Sequence, residues 1–361
     1  MTSSWGNGHA TTYRGLLGGL RERGHSLCFF ERDVEWYAAH RDLAHPPQAE
    51  LTLYRHWADI RPRALRAARE ADAVIVGSYF PDAVAAVEDL LRHPRPLLCF
   101  YDIDTPVTLQ ALRTGQCAYL RAGHIPFFDL YLSFTGGPVL AELRHTWRAR
   151  LVRPLYCACD QSAYQQARRA AAPAFALSFL GTYAPDRQHK LQRLLLAVAQ
   201  AMPQERFQVA GSMFPHPEIW PHNVAYVSHL APAAHPAFYA SSRFTLNLTR
   251  QAMVEAGFSP SVRLFEAGAA ATPIITDPWP GLEQFFQPEV EILLARSTAD
   301  VTRILSTISL DEAAVIGRAG QMRVLAAHTC QQRARELEGY LEEAAECSAI
   351  TSALPPASGN R

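Results

Sequence analysis

Ser259-Pro-Ser-Val-Arg-Leu-Phe-Glu-Ala-Gly-Ala-Ala-Ala-Thr-Pro-Ile-Ile-Thr-Asp277 reads as a loop, a short helix and a buried strand. Ser259 or Ser261 can cap the helix, and Pro260 stiffens its start. Gly268 and the alanines permit close packing of that helix, and Pro273 to Thr276 is a short apolar strand. A helix N-terminus offers free backbone N–H groups and the positive end of a dipole, which suits a phosphate. Glu266 lies about one turn inside, where its carboxylate reaches both hydroxyls of a ribose beside such a phosphate. The same pattern fits an ordinary helix with a solvated Glu, so the flanking chain has to decide.

Outward from this stretch, short apolar runs alternate with helical periodicity. Gly24 to Glu31, Asp72 to Gly77, Pro96 to Tyr101, Phe128 to Ser133 and Arg150 to Tyr156 read as strands of a first unit. Asp160 to Pro173 is polar and Ala-rich and reads as a hinge. Phe175 to Leu180, Phe207 to Ala210, Val224 to Val227, Phe244 to Leu248 and Pro273 to Thr276 form a second series, closed by helices up to Glu346. Alternation of this kind implies parallel sheets covered on both faces. Two such units in tandem hold a ligand outside the carboxyl ends of their strands, in the cleft they face. The distinctive loops fall there: 6–9, 78–82, 102–108, 181–187 and 211–215. The opening Met1 to Arg14 resembles a glycine-rich turn before a helix, with only Met1 to Ser4 left for the preceding strand. The expectation is that the native product starts upstream, because a central strand needs about 5 residues.

The 361 residues carry 34 Lys+Arg against 34 Asp+Glu, and 48% are apolar. Zero net charge gives no argument for nucleic acid or an anionic membrane as the main partner. Lys190 is the only lysine. No apolar run reaches membrane-spanning length and no cleavable leader is evident. The 7 cysteines are odd in number and lack paired metal spacing, including Cys157 and Cys159, which share one strand face. Reduced thiols in a cytoplasmic protein are expected.

Ser261 to Asp277 resembles the donor-site segment of GT-B-fold glycosyltransferases, most closely the spore-maturation CgeB-like group. Gly281 to Phe286, Glu289 to Ile292 and Arg323 to Thr329 fit the same group, so the resemblance covers roughly residues 175 to 340. It implies an α/β GT-B fold, two Rossmann-like domains with parallel sheets facing across a cleft. An acceptor-side domain over 1–165, a nucleotide-sugar domain over 166–330, a helix over 331–346 crossing back to the first domain and a disordered tail over 347–361 are expected. The implied activity moves a sugar from a nucleotide-diphosphate-sugar to an acceptor hydroxyl in a bacterial, cytoplasmic enzyme. No cofactor beyond the donor itself, and no metal, is implied. In the family pattern Glu266 holds the ribose, while backbone near Ser261 and a basic residue after the first strand hold the diphosphate. Arg187 matches that basic position, with Lys190 as its substitute, and Gly181 and Gly211 let the backbone approach the donor. Retaining relatives carry a Glu eight residues before the ribose Glu; here that residue is Phe258, with Glu255 three earlier.

On the acceptor side the resemblance rests on architecture plus Gly6-Asn-Gly8-His9. Several inverting GT-B enzymes use a His there as general base, a role suited to an imidazole titrating near neutrality; a local cap beside Trp5 is the alternative. Asp102 and Asp104 flank Ile103 at a strand end, so both carboxylates can point to one side as base or acceptor ligands, or one can cap the next helix. Asp104 is the preferred functional member, with Tyr79 nearby. Arg263 and Arg250 suit phosphate or an ion pair with Glu266. Gly136-Gly137 suits a close approach or a turn, and the scattered His216, His222 and His229 suit solvated loops. The main rival is a dinucleotide-dependent oxidoreductase, since Gly6-x-Gly8 with Glu31 mimics a Rossmann fingerprint, although Thr11 occupies the third glycine position. A GT-B epimerase or a non-catalytic nucleotide-sugar-binding protein are further rivals. Trp36, Tyr37, Tyr79, Phe80, Tyr101 and Tyr119 suit either sugar stacking or aromatic core.

Overall fold

The computed structural model describes residues 1–5, 8–93, 95–164 and 172–353. Gly6, residues 165–171 of the expected hinge and residues 354–361 of the expected tail lie outside these. The chain groups into two compact units. Unit 1 comprises Met1–Leu27, Val34–Glu50 and Cys157–Arg333; unit 2 comprises Cys28–Asp33, Leu51–Tyr156 and Ala334–Arg361.

Among the described residues twelve strands follow in chain order: β1 (Cys28–Arg32), β2 (Glu50–Tyr54), β3 (Ala73–Gly77), β4 (Leu97–Asp102), β5 (Leu130–Ser133), β6 (Val152–Pro154), β7 (Phe175–Leu180), β8 (Phe207–Ala210), β9 (Val224–Val227), β10 (Ser242–Asn247), β11 (Ile274–Thr276) and β12 (Leu293–Leu294). In unit 2 the parallel sheet runs β3-β4-β5-β6, with β1 and β2 forming a separate pair. β4 and β5 are central, and Leu98, Phe100, Leu130 and Leu132 are all fully buried. That is why their sequences are nearly unbroken apolar runs. Each such side chain contributes about 1.5–3 kcal/mol on leaving water.

In unit 1 the strand order is β12-β11-β10-β7-β8-β9, every pair parallel. The chain steps outward from β7 through β8 to β9, then crosses back to β10 on the other flank of β7. The direction of winding therefore reverses between β7 and β10. In an open parallel sheet, the crevice outside the carboxyl ends of two such strands is where ligands bind. Phe179, Phe207, Phe244 and Leu246 anchor the core beneath it, with Leu194, Leu195 and Val198 packed on them. Those leucines come from a helix that begins at Pro185–Leu191, widens through Gln192–Leu196 and ends at Ala197–Ala201.

Several expectations change. The divide between units falls after Tyr156 rather than at 165, because Cys159 is tied to the chain before the last helix: its N–H donates to His328 O at 3.2 Å and its carbonyl accepts Cys330 N–H at 2.9 Å. The first helix, His9–Glu22, belongs to unit 1 and not to the N-terminal half. Its Gly15 sits on Cys330, where an added Cβ would lie 2.2 Å from Sγ. Met1 to Ser4 form no strand; Met1 to Ser3 are buried, and the Met1 carbonyl accepts from Arg14 Nε at 2.9 Å. β2 was not anticipated. The last helix extends through Cys330–Ala353, so 347–353 are helical and not a loose tail. From Ala334 onward that helix groups with unit 2, where Glu343 pairs with Arg153.

Candidate functional site

The carboxyl ends of β7, β8, β10 and β11 gather the residues that the sequence singles out on the donor side. Gly181 follows β7 and Gly211 follows β8. Gly211 has φ +148°, and a Cβ on it would stand 2.0 Å from the Gly181 carbonyl oxygen. Glycine is therefore required at 211 for two reasons, backbone conformation and space. Backbone bonds lock the two loops together: Gly181 N–H to Ala210 O at 2.9 Å and Tyr183 N–H to Ser212 O at 2.9 Å.

Arg187 lies in the helix Pro185–Leu191, and its Nη2 donates to Thr182 O at 2.5 Å, across the loop that follows β7. It borders a small recess whose walls include Phe179, Thr182, Gln188, Phe214 and Leu248. Asp186 accepts the N–H of Gln251 at 2.9 Å and lies 3.6 Å from Arg250 Nε. Arg250 thus pairs with Asp186, not with Glu266.

Lys190 departs from its expected role. Its ammonium is buried, donating to Asp277 Oδ2 at 2.7 Å and to Thr249 O at 2.7 Å. The other Asp277 oxygen accepts Thr249 N–H at 2.9 Å and its hydroxyl at 3.0 Å. The pair is an internal clamp joining the loops after β10 and β11. Lys190 sits in the first segment of that helix, on its buried side next to Leu191, so its charge points inward.

The helix of the opening stretch spans Val262–Ala269 with Ser261 as N-cap residue. No side chain caps it. Ser261 Oγ instead donates to Asn247 Oδ1 at 2.8 Å, and Ser259 Oγ meets Met253 Sδ at 3.1 Å. Arg263 is also turned inward: it donates to Leu180 O and, at 2.9 Å, to Asn247 Oδ1, with its guanidinium 4.7 Å from the Phe179 ring centre. Burial lowers its pKa below the usual arginine value. It forms the floor beneath Gly181, where an added Cβ would lie 2.4 Å from Nη2. Asn247 organises this corner, with its amide donating to Thr276 Oγ1 at 2.9 Å. The sequence offered one signal for it, an amide side chain inside the apolar run Phe244 to Leu248.

Glu266 is 6% exposed and is therefore not a solvated surface acid. Its Oε2 accepts from Tyr239 Oη at 3.3 Å and lies 3.5 Å from His235 Nδ1. Neither neighbour was foreseen. Burial opposes a charge on His235, but the Glu266 carboxylate and the bond to Leu230 O outweigh it, so His235 titrates above its ordinary value. Phe258 has φ +49°, and its ring covers Gly281, where a Cβ would lie 2.3 Å away. Glu255 is exposed and accepts from Gln251 Nε2 at 2.9 Å.

The acceptor-side candidates divide between the units. His9, half-buried, opens the first helix in unit 1 beside Gly8, whose φ of −61° and open surroundings make no demand for glycine. In unit 2, Asp102 and Asp104 face different ways. Asp102 is fully buried, accepting from Tyr131 Oη and Thr108 Oγ1, both at 2.7 Å. Burial pushes its pKa up to about 6, despite those bonds. Asp102 is thus a structural acid and not an acceptor ligand. Asp104 is half-buried and accepts from Tyr79 Oη at 2.9 Å. It occupies the N-cap position of the helix Thr105–Arg113, but its side chain does not cap it. Tyr79 has φ +61° and packs against Tyr119 with ring centres 5.0 Å apart. Among the described residues no three His, Cys, Asp or Glu side chains are grouped to hold a metal ion, and no helix is long and apolar enough to cross a membrane.

Residues 187–339 match a family model described as "Glycosyl transferase-like". No curated protein sequence matches the chain. Among solved structures, sucrose-phosphate synthase from Thermosynechococcus elongatus is similar with TM-score 0.65 and 15% identity, over 94% of this chain and 92% of that one. Anabaena HepE in complex with UDP-glucose is similar with TM-score 0.66 and 13% identity, over 95% and 97%. HepE with UDP gives TM-score 0.62 at 14% identity, over 88% and 100%. At these identities the likeness shows the fold, which is that of the GT-B glycosyltransferases.

Proposed function

We propose that the protein is a GT-B glycosyltransferase that moves a sugar, hexosyl or related, from a nucleoside-diphosphate donor to an acceptor hydroxyl. The observation that carries this reading is the convergence at the β7–β10 reversal. Two interlocked glycine loops meet the uncapped N-terminus of Val262–Ala269, one turn before a buried carboxylate. Backbone N–H groups near Ser261 receive the diphosphate, which the helix dipole favours. Arg187 adds its charge as the nucleoside diphosphate leaves, the task a divalent ion performs elsewhere, so the reaction runs without metal or cofactor. Gly181 and Gly211 admit the donor close to the backbone, Arg263 and Lys190 brace the floor and the loops around it, and Glu266 takes the ribose. His9 and Asp104 are the general-base candidates, with Tyr79, Gly6 and Gly8 on the acceptor side. The family match at residues 187–339 supports the transferase assignment, and the UDP-bound relative makes UDP-sugars the first donors to test. The ordered motifs after Gly281 support the CgeB-like subgroup and a bacterial, cytoplasmic setting.

The test is calorimetric titration of UDP, GDP, ADP, CDP and NAD, followed by hydrolysis or transfer from the matching nucleotide-sugars with and without EDTA. Micromolar binding of one nucleoside diphosphate, weakened at least tenfold by Arg187→Ala, is expected. Tight NAD binding with no nucleoside diphosphate binding would overturn the reading in favour of the dinucleotide-dependent alternative.

A further inference from the structure

Glu266 has one oxygen committed inside the protein. Oε2 is met by Tyr239 Oη at 3.3 Å and His235 Nδ1 at 3.5 Å. Among the described residues none donates a hydrogen bond to Oε1.

The hydrogen-bonding roles of His235 are constrained by its other nitrogen. Nε2 lies 3.2 Å from the carbonyl oxygen of Leu230, which can only accept, so Nε2 carries a hydrogen. In the neutral imidazole, Nδ1 would then turn a lone pair toward the Glu266 carboxylate. Only the imidazolium gives Nδ1 a hydrogen to direct at Oε2. The ring is 14% exposed, so water offers little substitute.

We propose that His235 and Tyr239 are positioning residues that hold Oε2 of Glu266 and present Oε1 to the 2′- and 3′-hydroxyls of the donor's ribose. The ribose is read best while His235 is protonated. This rests on the nucleotide-donor reading above.

The surroundings set the direction of the pH effect. Facing His235 and Glu266 are Arg263 from the same helix as Glu266, His229 from the preceding loop, Tyr239 from the helix His235–Ala240, and Tyr164 and Cys159 from the chain entering unit 1. Burial and Arg263 disfavour a charge on His235; Glu266 and the bond to Leu230 O favour it and prevail, so His235 titrates above its ordinary value, while its charge lowers the neighbouring His229. Tyr164, Tyr239 and the Cys159 thiol are all held neutral by burial and by the Glu266 charge. Ribose discrimination is therefore strongest below the His235 pKa and falls as pH rises through it.

The experiment measures Kd by calorimetry for UDP and GDP and for their 2′-deoxy and 3′-deoxy counterparts, from pH 5.5 to 8.5. The ratio of deoxy to ribo Kd cancels titration of the terminal phosphate. For the wild type this ratio should be at least about tenfold for one deoxy form at low pH and should fall with rising pH. Tyr239→Phe should reduce it about two- to tenfold, the worth of one hydrogen bond. His235→Gln, whose amide is a donor at every pH, should make it independent of pH. Thermal midpoints confirm that both variants fold, and each tests the proposal alone if the other does not. A wild-type ratio that is flat with pH and unchanged in the folded variants overturns the proposal, provided Glu266→Gln abolishes discrimination. Failure of UDP, GDP, ADP and CDP alike to bind overturns the donor reading itself, and full discrimination by Glu266→Gln overturns the assignment of Glu266 to the ribose, and with it this proposal.

Discussion

Lys190 offers the sharpest test of how the donor side is built. Its ammonium and the Asp277 carboxylate are 2.7 Å apart, and each side chain is only 8% exposed. Lys190→Met keeps the apolar stem but leaves Asp277 as a buried anion, held by the N–H and hydroxyl of Thr249. Removing one partner of a buried pair costs about 3–5 kcal/mol, mostly the penalty of the charge left behind. For a unit of this size, that lowers the thermal midpoint by roughly 6–20 °C. Asp277→Asn, which retains an acceptor for Thr249, should cost a comparable amount by stranding the ammonium. The double variant should be destabilised by less than the sum, with a coupling of about 2 kcal/mol or more. Urea unfolding of the four proteins measures this. Additivity within about 0.5 kcal/mol would refute the clamp. A second measurement separates the clamp from a phosphate ligand. If the charge is committed to Asp277, the folded Lys190→Met variant keeps nucleoside diphosphate affinity within about threefold, a change below 1 kcal/mol. A hundredfold loss with unchanged stability would return Lys190 to the diphosphate.

Gly211→Ala places a Cβ 2.0 Å from Gly181 O at a φ of +148°. A strain of about 1–3 kcal/mol is expected, with nucleotide Kd raised at least tenfold; wild-type affinity would show that the two loops do not shape the site. Asp102 titrates near 6 in the folded protein, above its ordinary 3.8. The unfolded chain therefore ionises first, and stability should fall by on the order of 3 kcal/mol as pH rises from about 4 to 6, then level off. Asp102→Asn should flatten that interval, as read from the difference between wild-type and variant urea midpoints. Ser309→Ala removes a capping box in which Ser309 Oγ accepts Glu312 N–H and Glu312 bonds back to Ser309 N–H. The expected cost is about 1 kcal/mol, or 2–4 °C in the thermal midpoint.

The sheets were legible where burial is two-sided. β4, β5, β7, β8 and β10 are short apolar runs because helices or loops cover both faces, and their positions follow from the sequence. β2 was missed because its burial alternates, with Thr52 and Tyr54 buried and Leu51 and Leu53 only half-buried, so it lacks a continuous buried apolar run. The division into units was misplaced for a different reason. Pairing of Cys159 with the chain around Thr329, and seating of Gly15 on Cys330, are contacts between distant segments that no local pattern announces. At the site, Gly181, Gly211 and the Ser261 helix were readable as backbone features. The partners of Glu266 were not: His235 and Tyr239 lie on another helix, and nothing in His235-Pro-Ala-Phe-Tyr239 says what they face.

The charged residues that motif logic reserves for phosphate are mostly spent on holding backbone. Lys190 and Asp277 fix the loop after β10, and Arg263 ties the loop after β7 to Asn247. Ser261, the expected cap, joins the same Asn247. Asn247 Oδ1 thus takes bonds from a hydroxyl and a guanidinium, and drawing Ser261 away leaves the Val262–Ala269 helix without a side-chain cap. A side chain that captured those N–H groups would compete with a bound phosphate, whereas a buried amide that captures the side chain keeps them available. On the function proposed above, what this end gives a ligand is mainly oriented backbone, with Arg187 adding charge. That arrangement also explains the glycines: a phosphate gripped by main chain needs loops without Cβ atoms, and at both 181 and 211 a Cβ would collide with the floor or with the neighbouring loop.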